Sequence, residues 1–290
     1  MKYFFAVLIS ALLIGCSEER AEPGPGARSL AVAVLPDQSI EALTSRHSPL
    51  IEYLETTTSF DIELVIPHDY ADLLDQFDNG SVDLAWFGGV TFTQAEARSQ
   101  ADPLAFRDID LEFTSCYLTN GADTRSTVQE FEGEDFAFGP ELSTSGHLMP
   151  RYFLEGRGLY PEQFFGSTRH TAGHDQTARL VSDGTVALGV ANCVIVQSLL
   201  EKNALGGNVR IIETTPPYSD YVWAANTNMH ERTKAILLDA FLALDASDPH
   251  HRAILRSQGA NAYMPAASSD FSLVRKAVQL HGLHTGQAKN

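Results

Sequence analysis

The chain has 290 residues, with 37 Asp or Glu against 20 Lys or Arg and a formal net charge of −17. So acidic a surface excludes a nucleic-acid partner and recruitment to an anionic lipid surface by charge, because both would be repelled. The length suits one large or two medium α/β domains.

Residues 1–15 carry one early cation, Lys2, and an apolar run too short to span a bilayer, then Leu13-Ile14-Gly15-Cys16. This is the pattern of a lipoprotein signal peptide, with Cys16 as the lipid attachment point and residues 16–28 as a polar tether. The mature chain is thus expected outside the cytoplasm, on a membrane through its lipid only. A continuous apolar run at 30–35 predicts a strand buried on both faces. It is followed by a helix over 49–56, a strand over 62–66, a helix over 70–79 and a strand over 83–87 closed by Gly88-Gly89. Alternation of this kind implies right-handed crossovers and a parallel sheet, with loops gathered at the carboxyl ends of its strands.

A helix over 92–97 and extended segments over 104–108 and 115–119 come next, the last crossing to a second unit. That unit repeats the alternation, with a strand ending at Phe138, helices over 146–155 and 175–182, a strand over 186–191, a helix over 194–202 and a strand over 209–212. Pro216-Pro217 punctuates the chain, 221–225 returns to the first unit, and helices over 230–246, 249–257 and 270–280 finish it. The expected architecture is α/β with two lobes, 29–117 and 118–220, the first completed by 221–290. Two crossings make a hinge, and the natural site is the cleft.

One stretch stands out, Phe138-Gly139-Pro140-Glu141-Leu142-Ser143-Thr144-Ser145-Gly146. A strand ends, three hydroxyl residues follow, and a helix opens. The first N–H groups of a helix have no intrahelical partner and sit at the positive end of its dipole, so Ser143, Thr144 and Ser145 add donors to a cradle for an oxyanion. The same residues could act simply as helix caps. His147, His170 and His174 do not predict a metal site, since Gly173 interrupts the one helical pair. No G-x-S-x-G elbow or P-loop occurs, so no catalytic residue and no cofactor is expected.

Three blocks resemble the periplasmic phosphonate, phosphite and phosphate-binding proteins of ABC importers. They are Asp83-Leu-Ala-Trp-Phe-Gly-Gly-Val-Thr-Phe92, Phe136-Ala-Phe-Gly-Pro-Glu-Leu-Ser-Thr-Ser-Gly-His-Leu-Met-Pro-Arg151, and Gly173-His174-Asp175 with Ala178 and Gly184. The resemblance implies the type II periplasmic-binding fold and an oxyanion held by Ser143, Thr144 and Ser145. It also implies His174 facing them across the cleft, and the loop from Trp86 to Phe92 closing the other side. Two departures stand out. Gly89-Val90-Thr91-Phe92 replaces Pro-x-Ser-Tyr, so a phenol is missing. Val190-Ala191-Asn192-Cys193 lacks the carboxylate that would pair with an amino-phosphonate's ammonium. Cys116 and Cys193 are an even pair in an oxidising compartment, readable as a disulfide, as buried thiols, or as ligands for a thiophilic species. The implied partner is an ABC permease; the alternative is a membrane histidine kinase that reads arsenite bound at a cleft cysteine, since the family has arsenite-sensing members.

Overall fold

The computed structural model describes residues 29–206 and 208–283. The predicted signal peptide, Cys16 and the tether lie outside them. Among the described residues no helix is long and apolar enough to cross a membrane.

The first lobe is β1 Leu30–Val34, α1 Ile40–Thr58, β2 Ile62–Val65, α2 Tyr70–Asp78, β3 Leu84–Phe87, α3 Gly89–Ser99 and β4 Asp102–Arg107. The second is β5 Ser115–Asn120, β6 Asp135–Phe138, α4 Met149–Gly156, α5 Pro161–Phe164, β7 Ser167–His170, α6 His174–Ser182, β8 Leu188–Asn192, α7 Cys193–Glu201 and β9 Val209–Thr214. The chain then returns through β10 Val222–Ala225, α8 Glu231–Leu242, α9 Pro249–Ser257, β11 Tyr263–Pro265 and α10 Ser272–His281.

Two sheets result. The first has the order β11-β4-β10-β3-β1-β2 and the second β7-β6-β8-β5-β9. In the first, β1 lies parallel between β2 and β3, while the returning β10 inserts antiparallel between β3 and β4. The run Leu-Ala-Val-Ala-Val belongs in the middle of a sheet because Val32, Ala33 and Val34 are buried whichever face they point to. Ser115–Tyr117, expected in the first lobe, lies in the second sheet, where β5 pairs with β8 and β9. The two crossings run side by side, with Phe113 and Tyr218 bridged by hydrogen bonds of 2.9 and 3.0 Å.

The first helix differs from expectation. The apolar side of Leu50, Ile51 and Leu54 suggests a helix starting near Pro49, yet α1 begins nine residues earlier, capped by Ser39, whose Oγ accepts from Ala42 N at 3.3 Å. Pro49 forfeits one backbone bond, but Leu43, His47, Leu50 and Leu54 bury one continuous face against the sheet, which outweighs it.

Cys116 and Cys193 are joined in a disulfide, with their Cα atoms 5.0 Å apart and a separation of 77 positions in sequence. The cause is register: Cys116 pairs with Ala191 across β5 and β8, and the turn into α7 two residues later brings Cys193 over it. Closing so long a loop removes much of the unfolded chain's freedom. Replacing both cysteines by alanine is expected to lower stability by about 2–4 kcal/mol in urea unfolding; an unchanged midpoint would show the bridge to be dispensable.

Candidate functional site

The site forms where the carboxyl ends of both sheets meet. After β6, the chain turns at Gly139-Pro140, and Ser143 opens a wide turn in which Leu148 N bonds Ser143 O and Met149 N bonds Thr144 O before α4 begins. Ser143 caps this turn, its Oγ accepting from Gly146 N at 2.9 Å. The wide turn leaves Thr144 and Ser145 directed at the first lobe. Opposite them, β3 ends in Gly88-Gly89, the start of α3. Gly89 N donates to Asp220 Oδ1 at 2.9 Å, and Val90 N donates to Thr144 Oγ1 at 2.9 Å. Unpaired N–H groups at a helix start thus find acceptors on the other lobe and on the return crossing.

This approach has no room for side chains. A Cβ on Gly88 would stand 3.3 Å from Leu35 Cδ2 and 3.4 Å from both Asp220 Oδ1 and Thr144 Oγ1, and one on Gly89 would stand 3.3 Å from Thr144 Cγ2.

Three polar atoms here are buried with no hydrogen-bond partner among the described residues: Ser145 Oγ, Asp220 Oδ2 and Tyr70 Oη. None meets full hydrogen-bond geometry, although Thr144 and Ser145 lie close enough to Asp220, and Ser143 close enough to Tyr70, to favour the charged form of each. Burial pushes the Asp220 carboxyl up to about 7, against the Gly89 N–H, which favours its ionised form. Burial also keeps the Tyr70 phenol protonated, well above its ordinary value, so it remains a donor. Among the described residues no lysine or arginine hydrogen-bonds Ser143, Thr144, Ser145 or Asp220.

His174 differs from its expected place. It opens α6 in the same lobe as the hydroxyls and stands behind them, not across from them. Its Nδ1 accepts from Asn192 N at 3.2 Å, which leaves Nε2 to donate toward Ser143 Oγ at 3.4 Å. Burial pushes its pKa down, although Asp37 and Asp175 oppose this, so the ring is neutral. Its own backbone N–H reaches the first lobe at Asp37 O, 3.0 Å away. A Cβ on Gly146 would stand 2.9 Å from His174 Cε1, so the histidine sets how tightly the hydroxyl turn can coil.

Other expected residues lie one layer back. Trp86 is stacked on Tyr221 at 5.2 Å, with the Arg107 guanidinium 5.0 Å from its ring. Phe92 is fully buried against Phe271, ring centroids 4.7 Å apart. Cys116 and Cys193, expected as candidate ligands, are bonded to each other, so neither offers a thiol and the arsenite reading loses its ligand. Asn192 caps α7 through Oδ1 and donates its amide to Tyr221 Oη at 2.9 Å, which in turn donates to Asp37 Oδ2 at 2.7 Å.

Sequence reasoning missed Asp37, Tyr70, Asp220 and Tyr221. Their positions carried a signal: Asp37 follows the carboxyl end of β1 and Tyr70 the loop after β2, where open α/β sheets place their ligands. Asp220 and Tyr221 follow the second crossing and had no such cue.

Residues 32–271 match the family described as "ABC transporter, phosphonate, periplasmic substrate-binding protein". The chain is 29% identical over 290 residues, 95% of its length and 96% of the relative's, to the probable ABC transporter phosphite binding protein PhnD1 of Prochlorococcus marinus. It is 24% identical over 279 residues, covering 92% of this chain and 78% of the relative, to the phosphonates-binding periplasmic protein of Escherichia coli. The structure of the Prochlorococcus PhnD1 in complex with methylphosphonate superposes with a TM-score of 0.82 at 28% identity, over 88% of this chain and 98% of that one. The two-lobed type II periplasmic-binding fold is therefore shared, and the chain belongs to the periplasmic substrate-binding proteins of phosphonate ABC transporters.

Proposed function

We propose that this protein captures a small phosphorus oxyanion of the methylphosphonate or phosphite class between its lobes and delivers it to an ABC permease. The observation that carries the ligand class is the trio of buried, unpartnered atoms Ser145 Oγ, Asp220 Oδ2 and Tyr70 Oη around the hydroxyl turn. Two are hydroxyl donors suited to anionic oxygens. The third is a carboxyl oxygen, and a carboxylate tolerates an anion beside it only when a proton lies between them. A phosphonate or phosphite monoanion supplies that proton as P–OH. Sulfate and sulfonates carry none at neutral pH and could be held only while Asp220 itself keeps a proton, which it loses as pH rises through about 7. Selection thus rests on protonation state, with the hydroxyl hydrogens of Ser143 and Thr144 supplying the remaining donors and His174 holding the turn. Names of relatives that bind phosphite and methylphosphonate support the same class.

Attachment through a lipid on Cys16 is supported by the Leu13-Ile14-Gly15-Cys16 pattern. Mass spectrometry of the N-terminus of membrane-extracted protein would detect the acylated cysteine or show it unmodified.

Calorimetric titration of protein starting after Cys16 is expected to give binding of methylphosphonate and phosphite, and none of sulfate or methanesulfonate at equal concentration. Failure of every phosphorus oxyanion would sink the reading; sulfate binding as tight as methylphosphonate would remove Asp220 from it. Ser145→Ala should weaken methylphosphonate by about tenfold or more, the worth of one charge-assisted hydrogen bond.

The pH dependence of the ligand-free protein follows from Asp220. Its carboxyl titrates near 3.8 in the unfolded chain and about 7 in the folded one, so between these values the folded state holds the extra proton. Its contribution is full below the lower value and is lost as pH rises through the upper one. Asp220→Asn should flatten that part of the stability profile in urea melts from pH 4 to pH 8; an identical slope would exclude Asp220 as its source.

A further inference from the structure

On one flank of the seam between the lobes lies a second concavity, about 210 Å3, that includes no residue of the hydroxyl turn. Arg46 of α1 and Arg256 of α9 line it from the first lobe, and Ser198 of α7 with Lys202 just after its end from the second. A hollow of about 430 Å3 adjoins it and runs to the crossing at Phe113 and Thr114. The lobes meet closely here because Gly259 has a φ of +67° and no side chain; a Cβ there would stand 3.0 Å from Val194 Cγ1 of α7.

The charge at this place runs against the molecule. In a chain of net charge −17, Arg107, Arg125, Arg151, Arg157 and Arg275 each hold a carboxylate within 4.0 Å. Arg46, Lys202 and Arg256 hold none among the described residues, and Arg46 makes only a 3.4 Å contact to Gln258 O. Burial and the nearby Arg107 both push Arg46 down from its ordinary value, against the attraction of Asp37. An incoming anion would relieve that repulsion. The carboxylates facing the adjoining hollow, Glu112 and Glu201, confine the favourable field to the notch itself.

We propose that this notch is a second anion site, taking a small polyvalent oxyanion of the pyrophosphate or polycarboxylate kind, and that it is complete only when the lobes have met. The valence follows from three cations converging on one small concavity. The dependence on closure follows from their origin, two on one lobe and one on the other. An anion seated there ties α7 to α1 and α9, and by linkage it must favour the closed form to the extent that it prefers that form.

The test needs no ligand in the main cleft, so it stands or falls separately from the phosphonate reading. Pyrophosphate and citrate are titrated calorimetrically, at low and physiological salt, into the wild-type protein, Lys202→Glu/Arg256→Glu and Ser145→Ala. Both cations are exposed, so their replacement leaves the core intact; Lys202→Ala, which adds no repulsion, serves as a milder second variant. Binding of at least one probe by the wild type is expected, weakened by about tenfold or more in the double variant, less in Lys202→Ala, and little changed in Ser145→Ala. A preference between the probes distinguishes a phosphate-type from a carboxylate-type occupant. No uptake of either probe at millimolar concentration, equal uptake by the wild type and the double variant, or loss in Ser145→Ala instead, would each overturn the proposal.

Discussion

The structure depends on one close approach, that of the Gly88-Gly89 backbone to Thr144 and Asp220. Two N–H groups at the start of α3 require acceptors, and the acceptors come from a turn in the other lobe and from the returning crossing. Any Cβ on this backbone would press on the same atoms. The requirement therefore couples the glycine pair, the wide turn that aims Thr144, and the path of the chain through Asp220. A buried carboxyl in such a place is costly unless donors meet it. One donor is supplied by Gly89, and the remaining oxygen is left for something that brings its own proton.

This explains how a protein of net charge −17 can hold an anion with no lysine or arginine bonded to the hydroxyl turn. Oriented N–H groups and hydroxyls supply positive potential at short range, where the diffuse field of the acidic surface is screened and theirs is not. Cations would attract sulfate as readily as phosphonate. A carboxylate among hydroxyls repels any oxyanion that lacks a proton, and so discriminates where charge alone would not.

Around the site the lobes are stiff and the crossings narrow. Arg107 binds Asp110 through two parallel hydrogen bonds of 2.9 and 2.6 Å, both side chains buried, and spreads its guanidinium over Trp86 and Tyr221. That pair stands just before the Phe113 crossing and fixes where the chain leaves the first sheet. In the second lobe the disulfide joins β5 to the start of α7. Between these two anchors lie the paired crossings, bridged at Phe113 and Tyr218.

Much of this was legible in the residues. The apolar runs of β1 and β3, the β-α-β alternation and the hydroxyl turn before α4 are local patterns, set by burial on both faces of a strand and by the unpaired N–H groups of a helix start. The Ser143-Thr144-Ser145 stretch announced itself for the same reason. Elsewhere local chemistry misled. The apolar positions after Pro49 suggest a short helix from there on, yet the buried face of α1 runs on both sides of it. Cys116 and Cys193 left three readings open, and only the β5–β8 register brought their sulfurs together. His174 was expected across the cleft because the family resemblance implied it, whereas the fold sets it at the start of α6 in the same lobe as the hydroxyls. Asp220 and Tyr70 were invisible as a pair, since they are 150 residues apart and come to one lobe only when β10 returns to insert beside β3. The sequence by itself determined the elements and the anion-seeking turn. Which carboxyl faces that turn was decided by tertiary structure, because Asp220 reaches Gly89 and the hydroxyls only once the second crossing has returned to the first lobe.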